Sequence, residues 1–112
     1  MALNVTLETS DNIAKITLVG ELDASTASIF KEKVEEAAAH NPQRLVLMMQ
    51  DLEYMASAGL RVLIFAKQKM GTLDIYVVGA QKDTVLETIT KTGFHHSVYL
   101  LDEYDAAKIE SV

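Results

Sequence analysis

A chain of 112 residues with 49% hydrophobic residues and no cysteine fits one domain with a real apolar core and needs no disulfide or thiolate-metal staple. Its mean hydropathy of +0.12 excludes an intrinsically disordered protein. A net charge of −6, from 16 acidic against 10 basic residues, argues against a nucleic-acid surface, which needs clustered Lys and Arg.

The N-terminus, MALNVTLETS, lacks the basic region and long apolar run of a signal peptide. The most apolar stretches, such as Leu45 to Met49 and Ala58 to Ala66, fall short of the roughly 20 residues that cross a bilayer. These features predict a soluble protein, with the cytoplasm as its compartment.

Residues 3–9 alternate apolar and polar, as a half-buried strand does. Ser10, Asp11 and Asn12 supply turn chemistry before a second strand, Ile13 to Val19, so the chain opens with an antiparallel hairpin. After Gly20 the Ser and Thr residues of ASTAS give helix start signals, and Phe30, Val34 and Ala37 or Ala38 form the apolar stripe. Asn41 and Pro42 break this helix near His40.

Leu45 to Met49 is a continuous apolar run, which predicts a strand covered on both faces. A connection from Gln50 to Ala56 leads to a helix that begins at Ser57 and stops at Gly71, with Leu60, Leu63, Ile64 and the stem of Lys67 inward. Ile75 to Val78 reads as another buried strand. A helix follows from Asp83 to Thr92, with Val85, Leu86 and Ile89 inward and Gly93 as its stop. Val98 to Leu101 reads as a short edge strand, more core than dimer patch, and Asp102 caps a last helix through Ile109.

Strands alternating with helices in this way predict an α/β fold: a mixed, mostly parallel sheet of four to five strands, an N-terminal antiparallel hairpin and about four helices. No internal repeat or linker divides the chain, so residues 1–112 are expected to form a single domain.

The sequence offers little for catalysis. GxGxxG, GxxxxGK[ST], HExxH and GxSxG are all absent. His40 stands at a helix end, and the adjacent His95 and His96 project in different directions, which argues against a shared metal. No enzyme activity, metal or cofactor is expected.

The informative segment is Tyr54-Met55-Ala56-Ser57-Ala58-Gly59-Leu60-Arg61. Four small residues at the start of a helix leave a low surface around one hydroxyl. There the first N–H groups lack intrahelical partners and the macrodipole favours negative charge. A phosphate on Ser57 would be tolerated, and Arg61, four residues on, shares its helical face. The plainer role for Ser57 is an N-cap hydroxyl, worth about 1 kcal/mol.

GELD at Gly20 to Asp23, the run LMMQDLEYMASAGLRVL and the element order together resemble the STAS domain of bacterial anti-sigma factor antagonists, over essentially the whole chain. The resemblance implies a binding protein that sequesters an anti-sigma factor, itself a serine kinase, while Ser57 is unphosphorylated. Phosphorylation releases the partner, a phosphatase resets the switch, and transcription is regulated indirectly, without contact to nucleic acid or membrane.

It further implies a partner-facing surface formed by Glu21, Asp23, Ser25, Ala56, Ser57, Ala58, Gly59 and Arg61. Asp23 is equally readable as a helix cap. Two residues depart from the family pattern: Ala56 stands where an aspartate precedes the phosphorylated serine, and Ala58 where a second hydroxyl is usual. STAS domains are also similar to accessory subunits of lipid-transport ABC systems and to anion-transporter tails, which leaves a transport role as the alternative. Nucleotide binding would need a phosphate-cradling loop, which this sequence lacks.

Overall fold

The computed structural model describes residues 3–10, 12–70, 74–80, 82–91, 93–104 and 109. Strand β1 (Leu3–Ser10) and strand β2 (Ile13–Leu22) form the expected hairpin, running in continuous antiparallel register from Leu3 opposite Gly20 to Ser10 opposite Ile13. Helix α1 (Ala27–Ala38) buries Phe30, Val34 and Ala37, a spacing of three to four residues that puts one stripe against the sheet. Strand β3 (Arg44–Met48) pairs in parallel with β2.

Strand β4 (Leu52–Met55) lies within the segment that the sequence pattern assigns to a connection. It pairs in parallel with the end of β2, and one extra residue enters the ladder: Gly20 faces Leu52, whereas Glu21 faces Tyr54. Two outward residues, Glu53 and Tyr54, therefore stand between the buried Leu52 and Met55, which removes the alternation by which a strand is recognised.

Helix α2 (Ser57–Met70) follows, with Gly71 outside the described residues. It buries Leu60 and Leu63 as expected, and also Val62 and Ala66, while Ile64 and Lys67 are half-buried. The buried arc is wide because α2 packs against α1 as well as β4, and touches α3.

Strand β5 (Asp74–Val78) pairs with β3, and helix α3 (Asp83–Lys91) buries Val85 and Ile89, with Leu86 half-exposed. Thr92 lies outside the described residues, and Gly93, at φ 81°, takes the left-handed turn that suits a glycine stop. A 3₁₀ turn (Phe94–Ser97) carries the two histidines, whose ring centroids are 3.9 Å apart.

Strand β6 (Tyr99–Leu101) pairs with β5. Val98 is core, but Tyr99 and Leu100 are 53% and 40% exposed, so this segment is less buried than expected. Ile109 is helical and fully buried, whereas most of the helix expected after Asp102 lies outside the described residues.

Among the described residues the sheet has six strands rather than four to five, in the order β1-β2-β3-β5-β6, with β4 beside the upper half of β2. Three α-helices are described, not four. One face carries the main core, in which Ile16, Leu18, Phe30, Leu47 and Leu63 are all fully buried. On the other face Val46, Tyr76 and Val78 gather under Ile109, whose carbonyl accepts a 2.8 Å bond from Arg44 Nη1.

Candidate functional site

The carboxyl ends of β2 and β4 deliver two loops to one place. Gly20 has φ 114°, a conformation that glycine takes without strain, and its N–H donates to Asp51 O at 3.1 Å. Beyond the extra residue in β4 the strands close again with Leu22 opposite Met55, and the Ala56 N–H donates to Leu22 O at 2.8 Å. That main-chain bond ties the start of α2 to the start of the loop that follows β2.

The first intrahelical acceptor of α2 is the Ala56 carbonyl, which receives Gly59 N–H at 2.9 Å and Leu60 N–H at 3.3 Å. Ala56 is therefore the N-cap and Ser57 the first helical residue, which corrects the reading of Ser57 as a capping hydroxyl. An alanine cap brings no side-chain oxygen to the free N–H groups of the first turn. Ser57 is exposed, and so is Arg61 one turn along; Ala56 and Ala58 are half-buried.

Gly59 is buried and takes the opposite role. A β-carbon on it would stand 2.6 Å from Leu22 Cδ2 and Cγ and 3.1 Å from Met55 Cγ. The first turn of α2 can rest on the end of β2 only where no side chain intervenes. Gly59 therefore serves the packing beneath the site.

The loop beside Ser57 is organised by two side chains. Asp23 Oδ1 accepts from Ser25 Oγ at 2.7 Å, Ser25 N–H at 2.9 Å and Thr26 N–H at 3.2 Å. These donors, the Ser25 hydroxyl foremost, hold the Asp23 carboxyl below its ordinary pKa of 3.8. Thr26 Oγ1 accepts the Asp23 N–H at 2.9 Å and donates to Glu21 O at 2.9 Å.

Asp23 thus holds the turn that leads into α1, but the N-cap of that helix is Thr26, without a side-chain cap bond, which corrects the reading of Asp23 as the helix cap. Glu21 is half-buried and Ser25 exposed. Thr26, only 5% exposed, was not among the candidates. Its signal in the sequence is a hydroxyl three residues after an aspartate, a spacing at which each side chain reaches the other's backbone.

Strand β4 is braced from outside. Thr84 Oγ1 donates to Glu53 O at 2.8 Å and Thr88 Oγ1 to Met55 O at 2.7 Å, so α3 fixes the strand that carries Ser57 into place. No group of three or more His, Cys, Asp or Glu that could hold a metal occurs among the described residues. Nor is any helix among them long and apolar enough to cross a membrane.

Comparison with known proteins agrees with this architecture. An anti-sigma-F factor antagonist, RsfB of Mycobacterium tuberculosis, is 31% identical over 70 residues, which cover 62% of this chain and 57% of the relative's own length. The crystal structure of an anti-sigma factor antagonist from Mycobacterium paratuberculosis superposes with a TM-score of 0.85 at 25% identity, covering 96% of this chain and 92% of the other. The fold is also that of the Bacillus cell fate determinant SpoIIAA in its phosphorylated form, with a TM-score of 0.70 at 15% identity over 94% of this chain and 95% of that one. The model of the STAS domain matches residues 4–107, and the chain belongs to that family.

Proposed function

We propose that this protein is an anti-sigma factor antagonist of the partner-switching kind: a cytoplasmic binding module, without catalysis of its own, whose switch is Ser57. The observation that carries the reading is the placement of Ser57 as an exposed first residue of α2, beside a loop tied to it through the Ala56–Leu22 bond. The similarity to anti-sigma factor antagonists of two mycobacteria supports an anti-sigma factor as the partner.

Unmodified, the low surface of Ala56, Ser57 and Ala58 lets a partner approach closely, while the Asp23 turn offers a fixed carboxylate on the neighbouring loop. A kinase activity of the partner transfers a phosphoryl group to Ser57 Oγ. The group brings nearly two negative charges and three acceptor oxygens. It sits where the helix dipole favours an anion and within one turn of Arg61, so the domain holds it without rearrangement while the docked surface loses its fit. A phosphatase restores the hydroxyl. Because Ala56 supplies no carboxylate to orient Ser57, the kinase must position the hydroxyl with its own groups.

Calorimetric titration with the cognate anti-sigma kinase tests this. Wild type and Ser57→Ala bind alike and Ser57→Asp does not; equal binding by all three sinks the switch. Mass spectrometry after incubation with the kinase and ATP then finds phosphate on Ser57, and phosphate elsewhere moves the site.

A further inference from the structure

We propose that the outer edge of β1 pairs antiparallel with the same edge of a second copy, about a two-fold axis through Thr6. The hydrogen-bond phase of the hairpin fixes which backbone groups of β1 are free, and only a pairing centred on Thr6 engages all four outward residues. Arg44 N–H donates to Asn12 O, so even-numbered residues of β2 turn their backbone groups toward β3 and odd-numbered ones toward β1. Lys15, Thr17 and Val19 face Glu8, Thr6 and Asn4, which therefore spend their N–H and C=O on β2. The N–H and C=O of Leu3, Val5, Leu7 and Thr9 point outward, with no strand partner among the described residues.

The other edges are managed differently. The carbonyls of β4 are occupied by Thr84 and Thr88, and β6 is only three residues long. In contrast, β1 runs for eight residues in unbroken register with no bulge, proline or lysine, and Glu8 is its sole charge. It lacks the devices that normally blunt an edge.

The strand also complements itself. In a two-fold pairing centred on Thr6, the outward backbone groups of Leu3 meet those of Thr9 and those of Val5 meet Leu7. On the face away from α1, Asn4 lies opposite Glu8 and Thr6 opposite Thr6. The two Glu8 carboxylates are then four positions apart along the strand, roughly 13 Å, so no like charges face each other. The edge and Ser57 lie on opposite sides of β2, since β1 pairs with one side and β4 with the other. The net charge of −6 on each chain opposes the encounter at low ionic strength, and salt favours it.

The absence of cysteine makes the register directly measurable. Opposed residues whose backbone groups point away from each other have Cα atoms about 4.5 Å apart, within the range a disulfide spans. Under mild oxidation at concentrations up to about 1 mM, Thr6→Cys cross-links with itself. Asn4→Cys does not, and an equimolar mixture of Asn4→Cys and Glu8→Cys does. Sedimentation gives a second readout independent of oxidation: Thr6→Lys and Thr6→Glu are each monomeric, and their mixture associates at least tenfold more tightly than either alone. A wild-type chain that stays monomeric over this range overturns the proposal. So does cross-linking by Asn4→Cys equal to that of Thr6→Cys, or protection of the Val5 and Leu7 amides from exchange only by a foreign extended peptide.

Discussion

Two residues of the site illustrate opposite relations between chemistry and packing. Gly59 has nothing to offer a partner, yet a methyl group there collides with Leu22. Gly59→Ala is expected to cost about 1–3 kcal/mol, as overpacking does, despite alanine's better helix propensity, and a urea titration will read the loss as a lower midpoint at unchanged slope. Asp23 is the converse case, a surface residue whose worth is electrostatic. Its carboxyl titrates lower in the folded protein than the unfolded value of 3.8, with the Ser25 hydroxyl as the largest cause. It therefore adds stability above that value, and the contribution disappears as pH falls through the folded pKa. Asp23→Asn should show a shallower loss of stability on the acid side of pH 4 than wild type, measured by thermal melts across that window. An NMR titration midpoint for Asp23 at or above 3.8 would contradict the arrangement.

What the sequence disclosed at this scale followed chemistry with a local signature. Ser57 and Arg61 could be placed on one helical face because helix geometry fixes a spacing of four. Thr26 carried a local signal in its spacing from Asp23, whereas the structural role of Gly59 could not be seen, since it depends on contacts with Leu22 and Met55 of two paired strands.

Among the elements, β4 was the one hidden. Its extra residue leaves two polar-facing positions in succession, and strand recognition rests on strict alternation. The helices were legible because their apolar stripes follow the helical repeat, although α2 buries Val62 and Ala66 beyond the expected stripe by touching several neighbours. The bracing of β4 from α3 gives a test at this level. Replacing Thr84 and Thr88 together by Val leaves the carbonyls of Glu53 and Met55 without their hydroxyl donors, and about 1 kcal/mol per bond should be lost. Hydrogen exchange should quicken in Leu52 to Met55 and in the first turn of α2 before it changes in β1. Uniform acceleration over the whole sheet would mean that the threonines act only through global stability.

For the whole molecule, alternation of strands and helices was enough to give the parallel pairing, though not the order of the strands in the sheet. The second, smaller core was less visible because its members come from β3, β5 and the C-terminal segment, none of which alternates against solvent. Ile109 closes that core at 0% exposure, fastened by Arg44 to its carbonyl. Ile109→Ala is expected to cost about 2–5 kcal/mol, seen in denaturant unfolding, while binding of the proposed anti-sigma partner by the folded fraction stays unchanged, because the outer sheet face does not include the Ser57 surface. Loss of binding in proportion to Ile109 truncation, with stability intact, would connect the two faces.

The bond from Ala56 N–H to Leu22 O has a consequence for how such modules diverge. It joins the two segments proposed to face a partner through main-chain atoms alone, so substitutions at Glu21, Ala56 or Ala58 can alter the chemistry displayed without altering the spacing on which it is displayed. A lineage that duplicates this domain can therefore give each copy its own partner by rewriting a few surface positions. Cross-talk between copies sharing a cell then becomes a matter of side-chain vocabulary on a common frame.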